Sequence, residues 1–146
     1  MNKLGFFDLS LANKVGYVLG ILNTKYNFDA YEIIERFTSS NLFEHIIDWD
    51  VAVVSQSKYY IADLFLEEFE KDLPLKNSID NSDALFWYGY LITRWCIQEQ
   101  IYGKDISDNY NIISILQSYD VLHSLSIDNA IDHIKLDDRL ENIERS

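Results

Sequence analysis

Chemistry in this chain would have to begin at its imidazoles, His45, His123 and His133. His123 follows Asp120 by three residues and His133 follows Asp132 directly, so each pair could be written as metal ligands, an imidazole nitrogen with a carboxylate. Pairs of this kind arise by chance in an acidic chain. No HExxH, CxxC, phosphate-cradling glycine loop or dinucleotide fingerprint accompanies them. No catalytic residue, metal ligand or cofactor is therefore assigned, and the chain does not read as an enzyme. An enzyme would need a pocket in which Asp120, His123 and Arg94 converge. His123 has a structural use instead, donating to a backbone carbonyl in a buried turn and locking the connector from Asp120 to Ser126. Cys96 lies in an apolar stretch with Arg94 its only close cation, and reads as a small core residue because a reactive thiolate wants positive, partly exposed surroundings.

Arg94 stands in the most hydrophobic stretch of the chain, one turn after Tyr90 and beside Trp95. A guanidinium there needs a carboxylate, a carbonyl or an aromatic face, since an unpaired buried charge is very costly. Two roles remain open: a clamp between two halves of the molecule, or a surface anchor for a partner. Arg, Tyr and Trp are enriched at such anchors, and Trp49, Tyr59, Tyr60 and Tyr88 join Arg94 as candidate partner-binding residues on the expectation that they are exposed.

The elements that must carry these residues read as helices. Val15, Val18, Leu19 and Leu22 recur at helical spacing within about Leu11 to Lys25. A second helix begins at Asp29, with Asp29 and Glu32 spaced as a capping box and Ile33, Ile34 and Phe37 as its stripe. Thr38, Ser39, Ser40 and Asn41 interrupt it and offer caps for a short helix through Leu42, Phe43, Ile46 and Ile47. Val51 to Val54 is the one β-branched run suited to a strand or an extended connector. Ser57 caps a helix from about Lys58 to Glu70. Lys71 to Asp83, with the only proline, Pro74, is the connection between halves. An aromatic helix from Asp83 to about Gln100 is apolar nearly all round, as a central helix is. Gly103 ends that segment, Asp105 or Ser107 starts a short turn, Asn111 to Gln117 is a further helix, and Ser126 caps a last helix from Ile127 to Leu136 that runs on toward the charged tail.

Asp50 to Leu64 can be laid over Asp120 to Ile134 without a gap at a spacing of 70 residues, pairing Val51 with Val121 and Ile61 with Ile131. The capping serines Ser57 and Ser126 need 69, and Glu32 with Asp105 needs 73, so the repeat is not clean. The fold expected is mainly α: a compact helical domain of two similar helix-connector-helix halves, residues 1–73 and 83–146, around a central aromatic helix, with little or no sheet. Neither half is comfortable alone, because pieces of about 70 residues bury too little of their surface.

Composition bounds the partner. Of 146 residues, 48% are hydrophobic and 14% aromatic, enough for a core. Lys and Arg number 12 against 24 Asp and Glu, and a net charge of −12 disfavours nucleic acid and anionic membranes. Two readings of that charge stay open: acid dispersed for solubility, or an acidic face that steers a basic partner such as a toxin or effector. No apolar run approaches a membrane span of about 20 residues. The lone cysteine and a start without a signal-peptide pattern suit the cytoplasm.

The run Trp87-Tyr88-Gly89-Tyr90-Leu91-Ile92-Thr93-Arg94-Trp95, with Gly103-Lys104-Asp105-Ile106, Tyr119, His123-Ser124-Leu125-Ser126 and Ala130-Ile131, resembles one group of small uncharacterised bacterial proteins. Phe37, Leu42-Phe43-Glu44, Ser55-Gln56-Ser57 and Tyr60-Ile61 resemble a second. Both groups resemble proteins encoded beside ADP-ribosyltransferase-like toxin candidates, and that resemblance implies an antitoxin or accessory role. The function expected is direct binding and neutralisation of a toxin or effector protein; the alternative is a phage or mobile-element inhibitor of a host defence protein. A homodimer stays open for either.

Overall fold

The computed structural model describes residues 4–75 and 81–145. It is mainly helical, with ten helices and no strand among the described residues. They are α1 (Phe6–Thr24), α2 (Ala30–Thr38), α3 (Asn41–Ile47), α4 (Val51–Val54), α5 (Lys58–Phe69), α6 (Ser82–Glu99), α7 (Gly103–Asn109), α8 (Ile112–Gln117), α9 (Tyr119–Leu122) and α10 (Ile127–Arg145). No helix among the described residues is long and apolar enough to cross a membrane.

Local chemistry sets most helix starts. Asp29 accepts from Glu32 N at 3.1 Å, Ser40 from Phe43 N at 3.1 Å, Ser57 from Tyr60 N at 3.2 Å, Asn111 from Ser114 N at 3.1 Å and Ser126 from Asn129 N at 3.1 Å. Three expectations are corrected. The Asp29 and Glu32 box is one-sided, because the Glu32 carboxylate turns to Arg36, one turn along the helix. α1 begins near Phe6 rather than Leu11, since Asp8 reaches back to Gly5 N at 2.9 Å and satisfies a free first-turn amide. Val51 to Val54 is a single helical turn, not a strand. Asp50 caps it by accepting from Ala52 N at 3.1 Å, and no neighbouring strand offers the ladder that β-branched residues exploit.

α6 is central, as its all-round apolarity implies: α1, α3, α7, α8, α9 and α10 all pack on it. Its main partner is α1. The two run antiparallel, since Gly16 meets Phe86 and Gly89, Gly20 faces Ser82, and Asn23 Oδ1 accepts from Asn81 N at 3.1 Å. At the crossing a Cβ on Gly16 would lie 2.6 Å from the Phe86 carbonyl oxygen, and one on Gly89 would lie 2.9 Å from Gly16 Cα. Glycine at both positions lets the backbones touch. Asn23 also donates to Phe28 O at 2.9 Å, so one fully buried amide ties the end of α1 to the start of α6.

The two halves repeat one order of helices: long, short, short, a single turn, then a helix that returns to pack on the first. The structure reconciles the conflicting spacings. Gly16-Tyr17 and Gly89-Tyr90, Asn27 and Gln100 (both with positive φ, 62° and 56°), and Ile33 and Ile106 all stand 73 residues apart, over α1/α6 and α2/α7. Ser57 and Ser126, Ala62 and Ile131, and Phe65 and Ile134 stand 69 apart, over α5/α10. Within a helix pair the spacing is constant, and shorter elements in the second half absorb the change between pairs. Gly16 packs on its own counterpart Gly89, as equivalent helices do where they cross a two-fold axis.

Aromatic rings fill the core within each half. Phe37 lies against Phe43 and Phe65 with ring centroids 5.0 and 6.0 Å apart, and Trp95 against Tyr110 at 5.0 Å. The expected connection over Lys71 to Asp83 falls partly on residues 76–80, outside the described residues. Its start is pinned: Asp29 N donates to Pro74 O at 2.9 Å, and Leu75 forms an isolated bridge with Phe28.

Candidate functional site

α6 carries Phe86, Tyr90 and Arg94 four residues apart, which places them in one row on the helix surface. α1 buries Val15, Val18, Leu19 and Leu22 and so turns Tyr17 outward, half exposed, beside that row. Ser57 fixes the first turn of α5, where Lys58 and Tyr59 follow it. The three helices bring these side chains into one line. Lys25 Nζ stands 5.4 Å from the Tyr59 ring centroid, Lys58 Nζ 5.5 Å from Tyr59 and 4.5 Å from Tyr17, Tyr17 packs on Phe86 at 4.8 Å, Phe86 stacks on Tyr90 at 6.4 Å, and Arg94 Cζ lies 5.6 Å from the Tyr90 centroid. Cations and rings alternate from Lys25 to Tyr17, three rings then follow one another, and Arg94 closes the line, each cation lying over the negative face of an aromatic.

These cations stand outside the ion pairs. Among the described residues the ion pairs are Arg36 with Glu32, His45 with Asp50, Lys104 with Glu44, His133 with Asp137 and Lys135 with Glu99. Lys25, Lys58 and Arg94 are in none of them. Lys14, one turn before Tyr17, donates to Val54 O and Gln56 O at 2.9 Å each and ties α1 to the loop before α5. Beside the line a groove of about 550 Å³ opens between α1 and α6, lined by Gly16, Tyr17, Gly20, Phe86, Trp87 and Tyr119 among others.

Trp49 marks a second surface. It follows α3 with φ 58°, its N–H donating to Ile46 O at 3.1 Å while Asp50 N donates to His45 O at 3.0 Å. That is the Schellman end of a helix, and the left-handed position within it is ordinarily glycine. A tryptophan there is strained, and it is 40% exposed. It rims a cleft of about 390 Å³ with Asp48, Ile97, Gln100, Ile101 and Tyr102. Tyr102 donates its hydroxyl to the Asp48 carboxylate, which pushes the phenol's pKa up.

The candidate residues are thus divided. Tyr59 and Arg94 belong to the ring-and-cation line, Tyr60 is exposed next to it on α5, and Trp49 stands at its own corner. Tyr88, expected at the surface, is fully buried, and its hydroxyl pairs with Thr38 Oγ1 at 2.7 Å. Its position on α6 turns it toward α2, where Thr38 takes up the hydroxyl. Burial also drives the pKa of Tyr88 upward, and burial followed by the charges of Asp105 and Glu99 does the same for the Cys96 thiol. Tyr17, Lys25, Lys58, Phe86 and Tyr90 were missed. The repeated Gly-Tyr pair, 16-17 and 89-90, was the signal that could have found two of them.

His123 does contact a backbone carbonyl, Nδ1 lying 2.7 Å from Tyr119 O with its ring stacked on Tyr119, but the turn is exposed and not buried. Tyr119 in turn meets Trp87 edge-on at 5.7 Å. Trp87 lies nearly two helical turns before Arg94, a rise of about 10 Å, so the Asp120 to His123 corner and the guanidinium have separate partners. No three His, Cys, Asp or Glu side chains gather at metal-ligand spacing among the described residues. No family model matches the chain, nor does any curated protein or solved structure.

Proposed function

We propose that this protein acts by binding another protein, as an antitoxin or immunity-type factor that neutralises a toxin or effector through direct contact. The observation that carries the reading is the line from Lys25 through Tyr59, Lys58, Tyr17, Phe86 and Tyr90 to Arg94, which crosses three helices, exposed at Lys25, Tyr59 and Tyr17 and half-buried at the other four. Tyr and Arg on rigid helices are the side chains that anchor protein interfaces, because they present large area and lose little freedom on binding. The strained, exposed Trp49 supports the same reading, since strain of this kind persists where a side chain must be held out at a set angle. The net charge of −12 adds long-range steering toward a partner of opposite overall charge, while the side chains in contact decide the fit. An antitoxin role is the one implied by the resemblance to proteins encoded beside ADP-ribosyltransferase-like toxin candidates.

Co-expression with the product of the neighbouring gene tests the reading. Growth should be restored by the wild-type protein and lost with Tyr59→Ala combined with Arg94→Ala, the two proteins co-purifying only in the first case. A toxic product whose effect is untouched by this protein would sink the proposal.

A further inference from the structure

We infer that the line of rings and cations docks an acidic segment of the partner protein, one carrying carboxylates spaced by apolar side chains. This rests on the protein-binding reading and adds the chemistry of what is bound. In a chain with twice as many acids as bases, Lys25, Lys58 and Arg94 stand together on aromatic rings and form no ion pair with a carboxylate among the described residues. An incoming carboxylate would gain a charge-assisted hydrogen bond from a cation already held in place by its ring. The spacing of the acids follows from the geometry. Steps of 4.5, 4.8, 6.4 and 5.6 Å lead from Lys58 Nζ through Tyr17, Phe86 and Tyr90 to Arg94 Cζ, so two carboxylates bridging those cations are at most about six residues apart in an extended chain.

The apolar side chains between them have the rings and the adjoining groove to enter. That groove is lined by Gly16 and Gly20, where the α1 backbone is bare, and by Phe86 and Trp87. Asp83 is the carboxylate in its lining, and it disfavours a ligand carboxylate inside the groove. The acids therefore belong on the cation line and the apolar groups in the groove. Rings alternating with cations also suit single-stranded nucleic acid. A phosphate at every nucleotide, however, brings a long polyanion against a body of charge −12, whereas a short peptide places a few carboxylates on the few cations that face them.

The test is fluorescence anisotropy on the intact protein with a fluorescein-labelled dodecapeptide alternating glutamate and leucine. Its glutamine-for-glutamate counterpart and a labelled oligothymidylate of equal length serve as comparisons. The acidic peptide should bind, lose at least tenfold in affinity to Lys58→Glu combined with Arg94→Glu, and weaken between 50 and 300 mM salt. Lys58→Gln with Arg94→Gln is the milder pair should charge reversal disturb folding, and the amide resonances of Tyr17 and Tyr90 should shift on titration. Equal binding of the glutamine peptide, indifference to both double variants, or tighter binding of the oligothymidylate would each overturn the inference. A protein that still neutralises its toxin but ignores the acidic peptide leaves the proposed function standing and removes this inference alone. Peptide binding without neutralisation does the reverse.

Discussion

Replacing Gly16 by alanine should destabilise this protein, whereas the same change four residues later should stabilise it. A Cβ at position 16 would lie 2.6 Å from the Phe86 carbonyl oxygen and 2.8 Å from Phe86 Cδ2. An ordinary carbon-oxygen contact is about 3.3 Å or longer, so α1 and α6 would have to part by roughly 0.7 Å. The obstruction is backbone, and no rotamer change relieves it. Overpacking of this kind costs about 1–3 kcal/mol, here toward the upper end, and alanine's helix preference returns about 1 kcal/mol, for a net loss of about 2 kcal/mol. At Gly20 the nearest atom is Ser82 O at 3.8 Å, an ordinary contact, so only the helix preference remains. For a chain of this length the melting temperature should fall by about 6 °C for Gly16→Ala and rise by about 2–3 °C for Gly20→Ala. Circular dichroism melts checked by urea titration measure both. Gly89→Ala, with Gly16 Cα at 2.9 Å, should be destabilising as well, and combining it with Gly16→Ala should not be additive, because both insert into one contact. If Gly16→Ala and Gly20→Ala shift stability in the same direction, the close crossing of α1 and α6 is wrong.

Thr38→Val leaves the buried Tyr88 hydroxyl without its partner and should cost about 1–3 kcal/mol, while Thr38→Val with Tyr88→Phe should recover much of the loss, read by urea denaturation. Burial raises the pKa values of Tyr88 and Cys96 above their ordinary 10.0 and 9.0, so the folded state holds protons that the unfolded chain releases. Stability should hold below pH 9 and decline above it by up to about 1.4 kcal/mol per pH unit for each group, and Cys96 should react with a thiol reagent only after unfolding. Trp49→Gly relaxes a strained left-handed residue and should raise stability by up to about 1 kcal/mol while weakening capture of the co-expressed partner; unchanged capture would remove Trp49 from the interface.

What the sequence determined by itself was local. The mainly helical class, the caps at Asp29, Ser40, Ser57 and Ser126, and the buried stripes of α1 and α2 are read within four residues, because a cap or an amphipathic face is a relation between neighbours on one helix. The aromatic helix could be recognised as central for the same reason. Its rings could not be sorted, since an all-round apolar helix carries no stripe that separates inside from outside. Tyr88 and Tyr90 are two residues apart, yet the first is sealed against Thr38 and the second is a partly exposed member of the cation line. The short β-branched run at Val51 misled because its propensity had no partner strand to act on.

Only the tertiary structure decided the rest. The spacings of 69 and 73 residues conflicted until helices were matched to helices, the overlay at 70 giving way because Ile131 then answers to Ala62 and not Ile61, and the Gly16 to Gly89 contact placed the counterparts face to face. The candidate site is long-range in the same way: Lys58 and Tyr59, Tyr17, and the row from Phe86 to Arg94 come from three helices scattered along the chain. No periodicity within one helix can encode that line. It exists because two glycines let α1 and α6 cross closely enough for Tyr17 to reach Phe86.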